Sequence, residues 1–184
     1  MKKSKFSFLA KGSKKDLIAS MIRVNHAGEY GAKRIYQGQM KVLKNNKKFE
    51  TIKTMYEQEL IHLKYFQEEV AKRNIRPTVL MPAWHILGFA LGAITASLGE
   101  KAAMACTVAV EEVIEDHYEE QIRELKNYKD EEDLREMIIK FKKEEEEHKE
   151  TGIEHDALNI PCYTGLSFVI KKITKCAILL SKKI

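Results

Sequence analysis

The sequence predicts an all-α fold built around a bundle of four long helices. Only 3 prolines and 9 glycines interrupt its 184 residues, and leucine, isoleucine, glutamate and lysine dominate its composition. Apolar residues recur with helical spacing through four long segments, at residues 16–43, 47–74, 101–128 and 130–151. A chain of this length fits a single domain, with room for a four-helix core and additional segments.

Two Glu-x-x-His motifs lie on different predicted helices, the second and the fourth. Glu59 with His62, and Glu145 with His148, project from one helix face as pairs, and each pair can bind one metal ion. Two such pairs, in a bundle whose other two helices each add a glutamate, form the pattern of a di-iron carboxylate protein. Either motif alone could also belong to a solvent-exposed run of charged residues. The position of the motif relative to the apolar face of its helix decides between this interpretation and a metal site.

Helical phase places both motifs on the side that faces the core. At about 100° per residue, Glu59 and Glu145 each lie in the middle of an apolar stripe, whereas Glu144 and Glu146 lie about 100° to either side. A buried carboxylate without a partner is costly and therefore requires a cation or a proton. The stripe residues within about 40° are Ile52, Met55, Leu63, Phe66 and Val70 for Glu59, and Leu134, Ile138, Phe141 and Gly152 for Glu145.

The same construction selects one glutamate on the first helix and one on the third. Glu29 shares the stripe of Ile22 and Tyr36, and Glu111 is in phase with Tyr118, whereas its neighbour Glu112 lies about 100° away. The predicted metal ligands are Glu29, Glu59, His62, Glu111, Glu145 and His148. Four carboxylates and two neutral imidazoles carry a formal charge of about −4, which neutralises two divalent ions, and oxygen and nitrogen ligands favour iron or manganese.

Some residues near the predicted ligands each admit two interpretations. Tyr118 is either a core aromatic or a residue that stacks on a substrate or delivers electrons beside the site. His26 is either an ordinary core histidine or a hydrogen-bond partner of a ligand, since it and Asn25 lie near Glu29 on the helix. Four small residues between positions 27 and 32 predict that a neighbouring backbone approaches the first helix closely.

Three segments outside the predicted bundle core carry membrane-like features. Residues 79–98 contain no Asp, Glu, Lys or Arg, and three interpretations remain open: insertion into one leaflet, a buried crossover helix, or a spanning helix. We expect residues 78–99 to contact a membrane and residues 163–184 to form a basic amphipathic helix suited to a membrane surface. Residues 1–15 form a predicted flexible basic arm, and residues 16–184 a single domain.

Several function classes lack any support in the sequence. The net charge of +5 is modest, lysines are mixed with glutamates, and no nucleic-acid-binding module is recognisable. There is no GxGxxG loop, phosphate-binding loop or nucleophile elbow. The 3 cysteines are odd in number and lack CxxC spacing, which indicates a reducing compartment, and none is needed as a metal ligand.

Four blocks along nearly the full chain carry a family resemblance: RVNHAGEYGAKRIYQGQ, RPTVLMPAWHILGFALG, MACTVAVEEVIEDHYEEQIR and EEEEHKETGIEHDA. They resemble the demethoxyubiquinone hydroxylases, which are ferritin-like di-iron monooxygenases of ubiquinone biosynthesis. By this resemblance the six predicted ligands align with the family's iron ligands, and Tyr118 with a tyrosine near the quinone ring and the nicotinamide. Asn25 stands where many members have aspartate, so no ionised group is implied there.

The resemblance implies a specific reaction and setting. We expect hydroxylation of the quinone ring of a polyprenylated precursor, with two iron ions, O2 and electrons from NAD(P)H. The expected location is the cytoplasmic face of a bacterial cell membrane or the matrix side of the mitochondrial inner membrane. A lipid-binding accessory protein, contacts with other ubiquinone-biosynthesis enzymes and a homo-oligomer remain open, and no nucleic-acid partner is expected. The alternatives are a ferritin-like iron oxidase and a di-metal peroxidase or catalase.

Overall fold

The computed structural model describes residues 13–183, which form six α-helices joined by short turns. These helices are α1 (Lys14–Val42), α2 (Phe49–Lys72), α3 (Met81–Ser97), α4 (Glu100–Leu125), α5 (Glu132–Glu154) and α6 (Tyr163–Lys183). Two single-turn 3-10 segments flank α5, at Lys129–Glu131 and Ala157–Asn159. No strand occurs within this described part of the chain, so the predicted all-α fold is confirmed.

The helix ends follow local backbone chemistry. Ser13 caps α1, because its hydroxyl accepts a hydrogen bond from the Asp16 backbone while the Asp16 carboxylate accepts one from the Ser13 backbone. The helix therefore begins within the stretch predicted as a flexible arm, whose residues 1–12 lie outside the described residues. Gly99 separates α3 from α4 with a φ of +116°, a conformation that L side chains rarely adopt.

Two helical hairpins make the bundle. Helix α1 packs against α2, and α4 packs against α5, so that each hairpin pairs one lone glutamate with one Glu-x-x-His motif. Core side chains fill the space between the hairpins, including Phe66 of α2 and Phe141 of α5, whose ring centroids lie 5.7 Å apart. This arrangement confirms the ferritin-like bundle expected from the sequence.

Helix α3 crosses between the hairpins and lies directly against α1. A Cβ atom on Gly92 would overlap the carbonyl oxygen of Ile35, and one on Gly88 would lie 2.9 Å from the carbonyl oxygen of Gly31. The close approach of a backbone expected around positions 27–32 of α1 therefore occurs at Gly31, although a Cβ atom on Gly31 itself would meet nothing within 4 Å. The contact depends instead on the glycines of α3, together with Gly38 further along α1.

Helices α3 and α6 expose large apolar side chains. On α3 the exposed residues are Ile86, Leu87 and Ile94, and on α6 they are Phe168, Val169, Ile173, Leu179 and Leu180. A hydrogen bond of 3.0 Å from Trp84 Nε1 to Ser181 Oγ joins the two helices. Of the helices in residues 13–183, none combines the length and apolarity needed to cross a membrane.

We predict that Gly92→Ala destabilises the protein, whereas Gly31→Ala does not. The added methyl at position 92 must displace the α1 backbone, and such overpacking costs about 1–3 kcal/mol. The same methyl at position 31 enters open space and should raise stability by up to about 1 kcal/mol, because alanine favours a helix over glycine. Urea denaturation of both variants measures the difference, and equal midpoints would show that the α1–α3 contact is looser than described.

Candidate metal centre

The six predicted ligand side chains meet in the bundle core as two adjoining groups. One group contains Glu29, Glu59, His62 and Glu145, and the other contains Glu59, Glu111, Glu145 and His148. Within each group the ligand atoms lie within 4.8 Å of one another, and all of the residues are buried. Two carboxylates are therefore common to both groups, while each group has one glutamate and one histidine of its own.

Glu145 lies between the two histidines. Its Oε1 is 3.1 Å from His62 Nδ1, and its Oε2 is 3.1 Å from His148 Nδ1. The two imidazole rings are stacked with centroids 6.4 Å apart. Glu59 Oε1 lies 3.3 Å from His148 Nδ1, and Glu29 Oε2 lies 3.5 Å from His62 Nδ1. A carboxylate that faces a different histidine with each oxygen is placed to bridge two ions.

Burial and mutual repulsion set the charges of these groups. Burial, followed by the nearby charges of other carboxylates, raises the pKa of Glu59 and of Glu111 well above the usual range. Burial alone would lower the pKa of His62, but its hydrogen bonds to Glu145 and Glu29 raise that pKa to about 12. Protonated imidazole thus partly offsets the carboxylate charge, and a metal ion that replaces these protons would release them.

The unpartnered oxygens of Glu59 show that the residues fit a cationic group. Glu59 is fully buried, and neither of its carboxylate oxygens accepts a hydrogen bond from the described residues. Such a group is costly unless it is neutralised by a proton or coordinated to a cation. Carboxylate and imidazole donors, without thiolate, suit iron or manganese.

Two tyrosines bind the lone glutamates in a reciprocal pattern. Tyr118 of α4 donates a hydrogen bond to Glu29 Oε1 of α1, and Tyr36 of α1 donates one to Glu111 Oε1 of α4 at 3.1 Å. Each tyrosine follows the glutamate of its own helix by two turns. The two hairpins therefore present the same arrangement to the site, related by an approximate twofold axis.

The outward-facing Nε2 of each ligand histidine also makes a hydrogen bond. His62 Nε2 lies 2.6 Å from Glu144 Oε2, and His148 Nε2 lies 2.8 Å from Gln58 Oε1. Neither acceptor can donate from these oxygens, so each Nε2 carries the proton. Both rings are thereby oriented with Nδ1 towards the carboxylates, as a metal ligand requires.

The chain matches a protein family over most of its length. A family model described as ubiquinone biosynthesis protein COQ7 matches residues 16–181. The chain belongs to this family. It is 51% identical over 172 residues to the NADPH-dependent 3-demethoxyubiquinone 3-hydroxylase, mitochondrial, of Bos taurus, covering 92% of this chain and 79% of that protein.

Two other COQ7 relatives come from distant organisms. The 3-demethoxyubiquinol 3-hydroxylase of Rhodospirillum rubrum is 47% identical over 169 residues, covering 91% of this chain and 79% of the relative. The mitochondrial NADPH-dependent 3-demethoxyubiquinone 3-hydroxylase of Caenorhabditis elegans is 40% identical over 174 residues, covering 94% and 93%. All three names describe hydroxylases, so the chain is a member of an enzyme family, as its sequence motifs indicate.

In the bundle, His26 lies in the core and makes no hydrogen bond through Nδ1 within the described residues. Its ring is buried, its Nδ1 has no hydrogen-bond partner among the described residues, and burial lowers its pKa. It is thus a buried histidine that is not joined to a candidate ligand through Nδ1. Asn25 instead exchanges hydrogen bonds of 2.8 and 2.7 Å with Gln121, which also contacts His117.

Three residues that contact the candidate ligands were not selected from the sequence. Tyr36 carried a usable signal, because it follows Glu29 with the same spacing that separates Tyr118 from Glu111. Glu144 lies off the apolar stripe of its helix and was therefore not predicted to contact a ligand. Gln58 precedes Glu59 as Glu144 precedes Glu145, so it also lies off its stripe. Side chains that flank an apolar stripe can contact the neighbouring helix, and a helical wheel of a single segment does not show such contacts.

We predict that Glu59→Met stabilises the metal-free protein at pH 7 by about 1–3 kcal/mol, because it removes a buried carboxylate whose oxygens accept no hydrogen bond from the described residues. The pKa of Glu59 is raised in the fold, so ionisation costs stability above the ordinary pKa of 4.5 and nothing below it. The gain from removing this ionisation should therefore shrink as the pH falls from 7 towards 4.5. Chemical denaturation of the metal-free protein across this pH range provides the measurement.

Glu57→Met is the matched control for this substitution. Glu57 is exposed on the same helix and has only a surface ion pair of 3.9 Å with Lys53. Its replacement should change stability by no more than about 0.5 kcal/mol. A destabilised Glu59→Met variant would mean that the Glu59 carboxylate is satisfied without a metal ion.

Proposed function

We propose that this member of the COQ7 family hydroxylates the quinone ring of a polyprenylated demethoxyubiquinone, using a carboxylate-bridged di-iron centre, O2 and reducing equivalents from NAD(P)H. The observation that carries the proposal is the pair of buried ligand groups that share Glu59 and Glu145. The relatives add support, since two of their names specify NADPH-dependent hydroxylation of demethoxyubiquinone and the third specifies hydroxylation of demethoxyubiquinol.

In this proposal the side chains position and insulate the reaction. Two bound iron ions would supply the activation of O2, a chemistry that no protein side chain provides. Glu29 with His62, and Glu111 with His148, would each hold one ion, while Glu59 and Glu145 hold both. Complete burial excludes water from the ligands and strengthens electrostatic interactions at the site.

Tyr118 is the candidate catalytic residue. Burial, and then the charge of Glu29, raises the pKa of Tyr118 well above its usual value, so its hydroxyl keeps its proton and holds Glu29 through a hydrogen bond. Its ring belongs to the same core cluster as Phe66 and Phe141. We propose that it lies beside the bound quinone, where it orients Glu29 while the ring is hydroxylated.

The apolar surfaces of α3 and α6 fit an enzyme whose substrate carries a long isoprenoid tail. We propose that both helices rest on a membrane as a peripheral anchor, with residues 16–184 acting as one domain. Lys172 of α6, which lies over the Phe168 ring at 5.4 Å, would face anionic lipid headgroups. The proposed location is the cytoplasmic face of a bacterial membrane or the matrix side of the mitochondrial inner membrane. The proposed partners are the quinone substrate and the membrane surface, with a lipid-binding accessory protein, other ubiquinone-biosynthesis enzymes and a second copy of the chain as further candidates.

The reaction is tested with the iron-loaded protein, NADPH, a short-tailed demethoxyquinone and isotopically labelled O2. We expect hydroxylated quinone that carries the label, and at least a hundredfold loss in Glu145→Ala because the shared carboxylate is gone. Glu146→Ala is the control, since the neighbouring Glu146 is a surface residue paired with Lys142 and should retain activity. Iron oxidation or peroxide breakdown without hydroxylated quinone would contradict the proposal and favour an oxidase or a peroxidase.

A further inference from the structure

We propose that Glu144 makes the two metal positions unequal, so that the position formed by Glu29 and His62 binds its ion more tightly and fills first. The inference rests on the proposed di-metal centre and adds a role for a residue outside the ligand set. Glu144 acts through His62 and is therefore a positioning residue.

The site has approximate twofold symmetry. Glu29 and Tyr36 on α1 correspond to Glu111 and Tyr118 on α4, and the Glu-x-x-His motif of α2 corresponds to that of α5. The symmetry extends to the residue that precedes each motif. Gln58 precedes Glu59 and accepts a hydrogen bond from His148, while Glu144 precedes Glu145 and accepts one from His62.

At this pair of equivalent positions the two halves differ in charge. The partner of His62 is a carboxylate, whereas the partner of His148 is a neutral amide, and the two hydrogen bonds have similar lengths of 2.6 and 2.8 Å. The tyrosines do not create this difference, because each lone glutamate accepts a hydrogen bond from one tyrosine. Glutamate and glutamine have nearly the same shape, so the asymmetry is one of charge alone.

A carboxylate partner strengthens a histidine as a ligand. The negative charge polarises the Nε2–H bond, raises the electron density at Nδ1, and stabilises positive charge on an ion bound there. Removal of such a partner lowers metal affinity by about 10- to 100-fold. Glu144 retains this influence because its side chain is only 25% exposed, and its own cation, Lys140, is 3.8 Å away and itself exposed.

The test measures which position fills first. The metal-free protein is crystallised with about one equivalent of Co²⁺, and anomalous diffraction gives the occupancy of each position. We expect the Glu29–His62 position to dominate in the natural protein and the two occupancies to become similar in Glu144→Gln. The double variant Glu144→Gln/Gln58→Glu should reverse the order, so that the Glu111–His148 position dominates.

Glu147→Gln separates the hydrogen bond from a general charge effect. Glu147 is exposed on α5, pairs with Lys143 at 4.0 Å, and its change to glutamine removes the same charge without touching a ligand. This control should leave the occupancy ratio unchanged, and thermal unfolding checks that all variants fold alike. An unchanged occupancy ratio in Glu144→Gln, or an equal change in Glu147→Gln, would overturn the inference about Glu144 but not the proposed function. If both metal positions were empty in the natural protein and in all variants, the proposed function would be overturned as well.

Discussion

The structure depends on four carboxylates that are buried together at the centre of the bundle. Glu29, Glu59, Glu111 and Glu145 come from four different helices and have almost no contact with solvent. Their mutual repulsion and loss of hydration oppose folding, so the surrounding packing must hold them in place and protons or cations must neutralise them. Two histidines offset part of this charge, and Glu59 retains two oxygens without hydrogen bonds. In the proposed function, bound metal ions would complete this charge balance, and their binding would stabilise the fold.

The rest of the chain supports this cluster from two sides. The hairpins supply equivalent ligands, and the tyrosine of each hairpin steadies the lone glutamate of the other. Helix α3 can lie directly on α1 because Gly88 and Gly92 remove the side chains that would separate the backbones. This close contact joins the apolar outer surface of the molecule to the helix that carries Glu29. In the proposed function, a lipid-embedded surface and a buried reaction site thus share one helix.

Much of the fold and the ligand cluster followed from the sequence because both depend on helical periodicity. A glutamate in the middle of an apolar stripe has to face the core, and this reasoning selected Glu111 over Glu112, which instead pairs with Lys171 at the surface. Contacts that cross between helices were harder to predict. Glu144 and Gln58 lie off their apolar stripes, where the contacts of a side chain depend on the neighbouring helix. The role of the glycines of α3 likewise becomes clear only from the position of α1. The missing partner of His26 could not be foreseen for the same reason.

The most direct test of the di-metal centre is Mössbauer spectroscopy, with iron quantification, on protein reconstituted anaerobically with isotopically enriched iron and then oxidised. Shared carboxylates predict about two irons per chain and a single spin-coupled pair, because bridging ligands transmit magnetic coupling between the ions. Uncoupled iron, a single iron per chain or no bound iron after reconstitution would contradict the account, because the two ligand groups would then not form one centre.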